Sequence, residues 1–109
     1  MNKVFLIGRI TTDATLKTTA EGKKVYTKFP IAVDRDYTQK DGNKQADFFQ
    51  IIIWGTMAEN LVKYLNKGKL ISVIGKLRNH NYENKEGEKK YYTEVFCEEI
   101  KFLEYKKAE

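Results

Sequence analysis

The sequence predicts an all-β domain: a five-stranded Greek-key barrel with one short helix between its third and fourth strands. Three observations lead there. Five runs rich in Val, Ile, Phe, Tyr and Thr alternate with turn signals along the 109 residues. One segment alone carries a helical spacing of apolar residues. Hydrophobic residues at 41% and charged residues at 32% allow one packed core, in a chain too short for two ordinary domains.

The β-like runs are Lys3 to Ile10, Val25 to Val33, Ala46 to Trp54, Leu70 to Asn79 and Tyr91 to Leu103. Between them lie Ala20-Glu21-Gly22, Asp41-Gly42-Asn43, Lys67-Gly68-Lys69 and Lys85-Glu86-Gly87, which read as turns. From Thr56 to Asn66 the apolar positions 57, 58, 61, 62 and 65 fall on one helical face. Thr56 with Glu59 reads as a capping box, and Gly68 as a stop beyond the helix. Three strands, a helix and two strands make the order of an OB-fold. The expected division is one domain over residues 1–105 and a short extension over 106–109.

Strand parity separates core from surface. In the fourth run Ile71, Val73, Gly75 and Leu77 share the expected core face, and Lys76, Arg78, His80 and Tyr82 the other. The third run is apolar on both faces, Phe49, Ile51 and Ile53 against Phe48, Gln50, Ile52 and Trp54. A barrel has one interior, so the face with Gln50 is placed outside, which exposes Phe48 and Trp54. Two readings of that pair stand open here: a stacking surface, or rings covered by an oligomer interface or a second small core. Pro30 inside the second run removes a ladder donor and predicts a bulge or an edge.

Net charge is +5, and residues 63–90 hold eight basic residues against three acidic ones, the whole of that excess. Rings beside lysine and arginine suit a single-stranded nucleic acid, because every base has a π-face and every phosphate a charge. A solvated, charged hairpin is the bland alternative. The single cysteine, Cys97, excludes an internal disulfide and a Cys-based zinc cluster, and its apolar strand position reads as core. His80 is the only histidine and has no ligand cluster at metal spacing. Asp34, Asp36, Asp41 and Asp47 flank a hairpin without the partners of a nuclease centre, and no phosphate-binding Gly-rich loop is present. No catalytic residue, cofactor or metal is expected. No apolar run approaches the roughly 20 residues of a membrane span. The N-terminus reads as a strand rather than a secretory signal, so a cytoplasmic, nucleoid-associated setting is expected.

Several stretches together resemble the bacterial and phage single-stranded DNA-binding proteins, from about Met1 to Glu104. They are Asn2-Lys3-Val4-Phe5-Leu6-Ile7-Gly8-Arg9-Ile10, with a short strand around Asp13 to Lys17; Phe29-Pro30-Ile31-Ala32-Val33; Phe48-Phe49-Gln50-Ile51-Ile52-Ile53-Trp54-Gly55; Ala58-Glu59 through Tyr64-Leu65-Asn66-Lys67-Gly68; Ile74-Gly75-Lys76-Leu77-Arg78; and Tyr92-Thr93-Glu94-Val95, ending in Phe102-Leu103-Glu104. The order and spacing of these pieces make the match. The resemblance implies base stacking at Tyr37, Phe48, Trp54 and Tyr82. It implies phosphate contacts at Lys3, Lys17, Lys67, Lys76 and Arg78, to which Arg35 and Lys69 are added. Gln50 and His80 stand where many members carry basic residues, and Asp13-Ala14 where many carry a proline after the aspartate. The resemblance also implies a homotetramer of two dimers joined through their first strands. Replicative members continue into a linker and an acidic tip that recruits enzymes. This sequence ends at Lys106-Lys107-Ala108-Glu109, so recruitment of that kind is not expected. An OB-fold interaction module of the primosome type is the alternative function. It predicts loss of several stacking positions, and all four carry rings.

Overall fold

The computed structural model describes residues 1–38, 42 and 44–103, with the backbone alone at 37, 38 and 44. Its elements are β1 (Val4–Ile10), β2 (Leu16–Thr18), β3 (Val25–Thr38), β4 (Lys44–Trp54), α1 (Gly55–Leu61) with a 3-10 turn (Val62–Tyr64), β5 (Leu70–Glu83) and β6 (Lys89–Phe102). The five long strands run in the order β1-β5-β6-β4-β3, and β1 returns to β3 at Arg9↔Ala32 and Ile10↔Ile31. That last pairing closes the barrel, so the predicted architecture is the observed one. All pairs are antiparallel except β4 with β6, which meet in parallel at Ile51↔Val95 and Ile52↔Phe96. The short β2 hangs on β3 through Leu16↔Thr27, Lys17↔Tyr26 and Thr18↔Val25.

Alternation fills the interior. Ile10, Phe29, Ile31, Ile51, Ile53, Ile71, Val73, Val95 and Cys97 form one buried cluster. Each fully buried aliphatic or Phe side chain contributes about 1.5–3 kcal/mol relative to exposure. The helix lays Ala58 on this cluster, with Leu65 beyond it and Met57 and Leu61 half-buried, as its spacing predicts. Burial pushes the Cys97 thiol up to about 11, which makes it a core residue rather than a reactive thiolate.

Three local expectations are corrected, and a fourth, at Pro30, is resolved to one of its two readings. The helix breaks into a 3-10 turn after Leu61 instead of running to Asn66. Its N-cap falls on Trp54, which offers no side-chain acceptor, so Thr56 and Glu59 form no capping box. Gly68, at φ 93°, is not the helix stop: it turns the chain back onto β1 by donating its N–H to the Ile10 carbonyl at 2.7 Å. Pro30 carries no bulge, since the β3–β4 register is unbroken from Tyr26↔Trp54 to Asp34↔Ala46. Its edge reading holds instead. β2 leaves β3 after Thr27 and β1 joins it only at Ile31. The Pro30 carbonyl takes the Thr11 N–H on that side, where its own missing donor also points.

Leu77 is also corrected: it is 41% exposed, not core. β1 covers β5 only from Leu70 to Gly75, and beyond Gly75 the strand pairs with β6 alone. β6 stays beside β4 at Val95 and Phe96, and Glu94 is still buried opposite Arg78, so the two strands leave the barrel as a hairpin arm, solvated on both faces, from Asn79 and Thr93 outward. At the junction one residue of β6, Glu98, is unpaired between Ile74↔Glu99 and Gly75↔Cys97. Gly75 is required there, because a Cβ would lie 2.2 Å from the Phe96 carbonyl oxygen. At the tip the Asn84 side chain accepts the N–H groups of Glu86 and Glu88 at 3.0 and 2.9 Å, and Gly87 adopts φ 81°.

Candidate nucleic-acid interface

The outward parities of β3, β4, β6 and β5 form one continuous face. Register sets neighbours across it. Lys17 lies beside Tyr26, and Tyr26 beside Trp54. One step along, Lys28 faces Ile52, Ile52 faces Phe96, and Phe96 faces Lys76. Next come Arg78 opposite Glu94, His80 opposite Tyr92 and Tyr82 opposite Lys90. Cations and rings thus interleave across four strands, the composition a stacked, phosphate-bearing strand needs.

The rings touch one another in sequence. Tyr26 and Trp54 meet with centroids 4.9 Å apart. His80 stacks on Tyr92 at 5.1 Å and 23°, and Tyr82 is tilted against Tyr92 at 6.1 Å. The Arg78 guanidinium lies over Phe96 at 4.2 Å, and the Lys28 ammonium over Tyr92 at 5.4 Å. Such contacts hold flat groups in place and each adds about 0.5–1.5 kcal/mol between rings.

A carboxylate lies beneath them. Glu94 is 3% exposed, and a buried carboxylate is costly unless paired. Its Oε1 lies 2.5 Å from His80 Nε2 and its Oε2 lies 3.1 Å from Lys28 Nζ. The Oε2 contact is an ion pair without hydrogen-bond alignment, and among the described residues no other donor reaches that atom. For Lys28, burial pulls the ammonium pKa down. The Glu94 charge beside it more than offsets this, so Lys28 is held above the ordinary lysine value and stays charged.

The structure brings some of the expected residues together and separates others. Trp54, Lys76, Arg78, His80 and Tyr82 line the central face, and Lys17 flanks it across β2. Trp54 is half-buried rather than exposed, because Tyr26 covers one side of it. Ile52, on the same parity, is only 4% exposed, so this face partly covers itself. Phe48 is 68% exposed and pairs with Ala32, six residues along β4 from Trp54, about 20 Å away. Gln50 lies between them, exposed, opposite Pro30. Arg35 is engaged by Asp47, its Nη2 at 2.9 Å from Oδ1, and by Gln45, both on the parity of β4 opposite to Phe48. The Arg35 hydrogen bonds hold the Asp47 carboxyl below the usual carboxylate range. Lys3 and Lys76 share Glu98, Lys3 in a short contact and Lys76 at 3.7 Å. The Lys3 hydrogen bond holds Glu98 below its ordinary value. Lys67 and Lys69 are exposed at the other end of β5, with Lys69 nine residues from Arg78, about 30 Å. The side chain of Tyr37 lies outside the described residues.

Five residues of this face were not singled out in the sequence: Tyr26, Lys28, Tyr92, Glu94 and Phe96. Their signal was present. Tyr26 and Lys28 alternate with buried Thr27 and Phe29, and Tyr92, Glu94 and Phe96 with Val95 and Cys97. Parity applied to β3 and β6, as it was to β4 and β5, places all five outside. Among the described residues no three His, Cys, Asp or Glu side chains gather as metal ligands, and no helix is long and apolar enough to cross a membrane.

Comparison with known proteins agrees with this geometry. Residues 1–103 match the model of the single-strand binding protein family. The chain is 46% identical over 105 residues to a single-stranded DNA-binding protein of Clostridium tetani, covering 96% of this chain and 72% of that protein. It is 46% identical over 108 residues to single-stranded DNA-binding protein 1 of Staphylococcus aureus, covering 99% and 69%. In three dimensions it matches the Plasmodium falciparum SSB in complex with ssDNA, with a TM-score of 0.80, 24% identity and 95% and 96% of the two chains covered, which shows a shared fold. A closed barrel of this order, matched by the family over nearly its whole length, leaves one conclusion: the chain belongs to the single-strand binding protein family.

Proposed function

We propose that the chain binds single-stranded DNA with little regard to sequence, and so protects and straightens it in replication, recombination, repair or DNA uptake. The observation that carries this is the interleaving of rings and cations over one barrel face, with the Tyr26–Trp54 pair and the His80–Tyr92–Tyr82 series at its centre. Bases stack on Trp54 and Tyr82, and on Phe48 and Tyr37 farther along. Phosphates meet Lys17, Lys76, Arg78 and His80. Lys3 joins them when it leaves Glu98. Lys67, Lys69, Arg35 and Gln50 lie off the central face and extend the path of a wrapped strand. Duplex is excluded because its bases are already stacked and paired. This is recognition without bond making, in the cytoplasm at the nucleoid.

The proposal includes assembly. On the outer side of β1, Phe5 is 71% and Ile7 59% exposed, an apolar pair beside β5 that supports burial against a second copy. Two such dimers make the expected tetramer. Sedimentation should give four chains per particle, and Ile7→Lys should reduce that number.

The test of function is tryptophan fluorescence during titration with poly-dT, against duplex of equal length. Trp54 is the only tryptophan, so the signal is its own. Quenching by the single strand, weakened by salt and absent with duplex, is the expected result. Binding to neither would favour a protein-interaction module.

A further inference from the structure

We propose that Glu94 is a positioning residue of the DNA-binding face: its buried carboxylate fixes Lys28 and His80 against Tyr92, so that a cation and an imidazole stand ready for the strand between Trp54 and Tyr82. This rests on the binding function proposed above. A carboxylate in the middle of a polyanion-binding face is at first sight adverse, since it repels phosphate. Three observations argue otherwise. Glu94 is 3% exposed, so it meets no phosphate itself. Each of its two oxygens lies beside a different group of the face, Oε1 at His80 from β5 and Oε2 in an ion pair with Lys28 from β3. Those two groups both lie against the Tyr92 ring, at 5.1 and 5.4 Å. Two strands that do not pair with each other are thereby tied through a third. Lys28 is a long side chain, and holding it in one place before the strand arrives removes an ordering cost from binding.

The two accounts differ in sign. If Glu94 only repelled phosphate, E94Q would tighten binding. As a positioning residue, E94Q weakens poly-dT binding by about tenfold, because charged hydrogen-bond and ion-pair partners are lost. It also lowers the salt slope by about 0.7, the share of one phosphate contact on a single strand. The loss depends on Lys28 and His80. In a K28Q/H80Q background, E94Q changes affinity by less than about twofold, as expected for residues acting through one another. Far-UV circular dichroism and melting establish that each variant is folded at the titration temperature. Should E94Q not fold, E94D keeps the charge but withdraws it from both partners, and its affinity should fall with the fold intact.

Equal or tighter binding by E94Q, an unchanged slope, full additivity in the double background, or unchanged affinity in a folded E94D would each overturn the inference while wild-type binding stands. Failure of the wild type itself to bind poly-dT would remove the function and this inference with it.

Discussion

β5 and β6 pair with each other over almost their full length, yet their two ends belong to different environments. Up to Gly75 the pair is barrel wall: Ile71, Val73 and Cys97 face a closed interior, and β1 covers the flank. Beyond Gly75 β5 loses its β1 cover, so that Leu77 is already 41% exposed, and from Asn79 and Thr93 outward the two strands form an arm on which Tyr82, Tyr91 and Tyr92 are all more than two-fifths exposed. On β5 the residues change with the environment, from Leu70-Ile71-Ser72-Val73-Ile74-Gly75 to Lys76-Leu77-Arg78-Asn79-His80-Asn81-Tyr82-Glu83. The neighbouring strands give out in steps, β1 at Gly75 and β4 at Val95, which lies opposite Leu77. Apolar side chains on the wall supply stability, and those on the arm are offered to a partner.

Core truncation against arm truncation should separate the two most sharply. Ile51→Ala, in the wall, should cost about 2–5 kcal/mol of stability in a denaturant melt. Its affinity for poly-dT, measured on folded protein, should be unchanged. Gly75→Ala, at the boundary, should cost about 1–3 kcal/mol, because the new methyl meets backbone that has nowhere to go. A Gly75→Ala protein that melts like the wild type would mean the bulge at Glu98 can shift, and the boundary is softer than described. Tyr82→Ala, on the arm, should reverse the pattern: about 1–3 kcal/mol of binding lost for the missing stack, with stability within about 0.5 kcal/mol. Trp54→Ala lies between, since the ring is half-buried on Tyr26: a similar loss of affinity and a measurable fall in melting temperature together.

The same boundary decides what was legible in the sequence. The barrel wall was legible because a buried strand face leaves a period of two, and Ile51, Ile53, Ile71 and Val73 obey it. Leu77 obeys it too and is exposed, because periodicity records which way a side chain points and not what stands opposite. The helix face was readable from positions 57, 58, 61 and 65. Its capping box was not, because the strand runs to Trp54 and takes the cap position from Thr56. The site was half legible. Parity found Phe48, Trp54, Arg78, His80 and Tyr82 on β4 and β5. The bridge through Glu94 joins β3, β6 and β5, strands that the parallel β4–β6 pairing brings together, and no spacing in the sequence encodes that pairing.

Two smaller effects test the charges along the boundary. Arg78→Ala should flatten the salt dependence of binding by about 0.7 in slope, since one phosphate contact is lost. An unchanged slope would leave Arg78 as a cover for Phe96 only. The last effect concerns Glu98, the unpaired residue of the bulge. Its carboxyl is held below the ordinary glutamate value first by the Lys3 hydrogen bond and then by the nearby Lys76 charge. A folded pKa below the unfolded one means that this pair supports the fold above the ordinary glutamate pKa and stops doing so as pH falls through the lowered value. The pair is exposed, so the change in stability should be slight and the titration itself is the better signal. In Lys3→Ala, carboxyl NMR should show Glu98 moving up toward its ordinary value, and a titration identical to the wild type would mean that the pair does not form in solution. Addition of a dT oligomer to the wild type should move Glu98 in the same direction, because phosphate competes for Lys3 and Lys76. A shift produced by Lys3→Ala but not by DNA would place Lys3 in the architecture of the junction and outside the path of the strand.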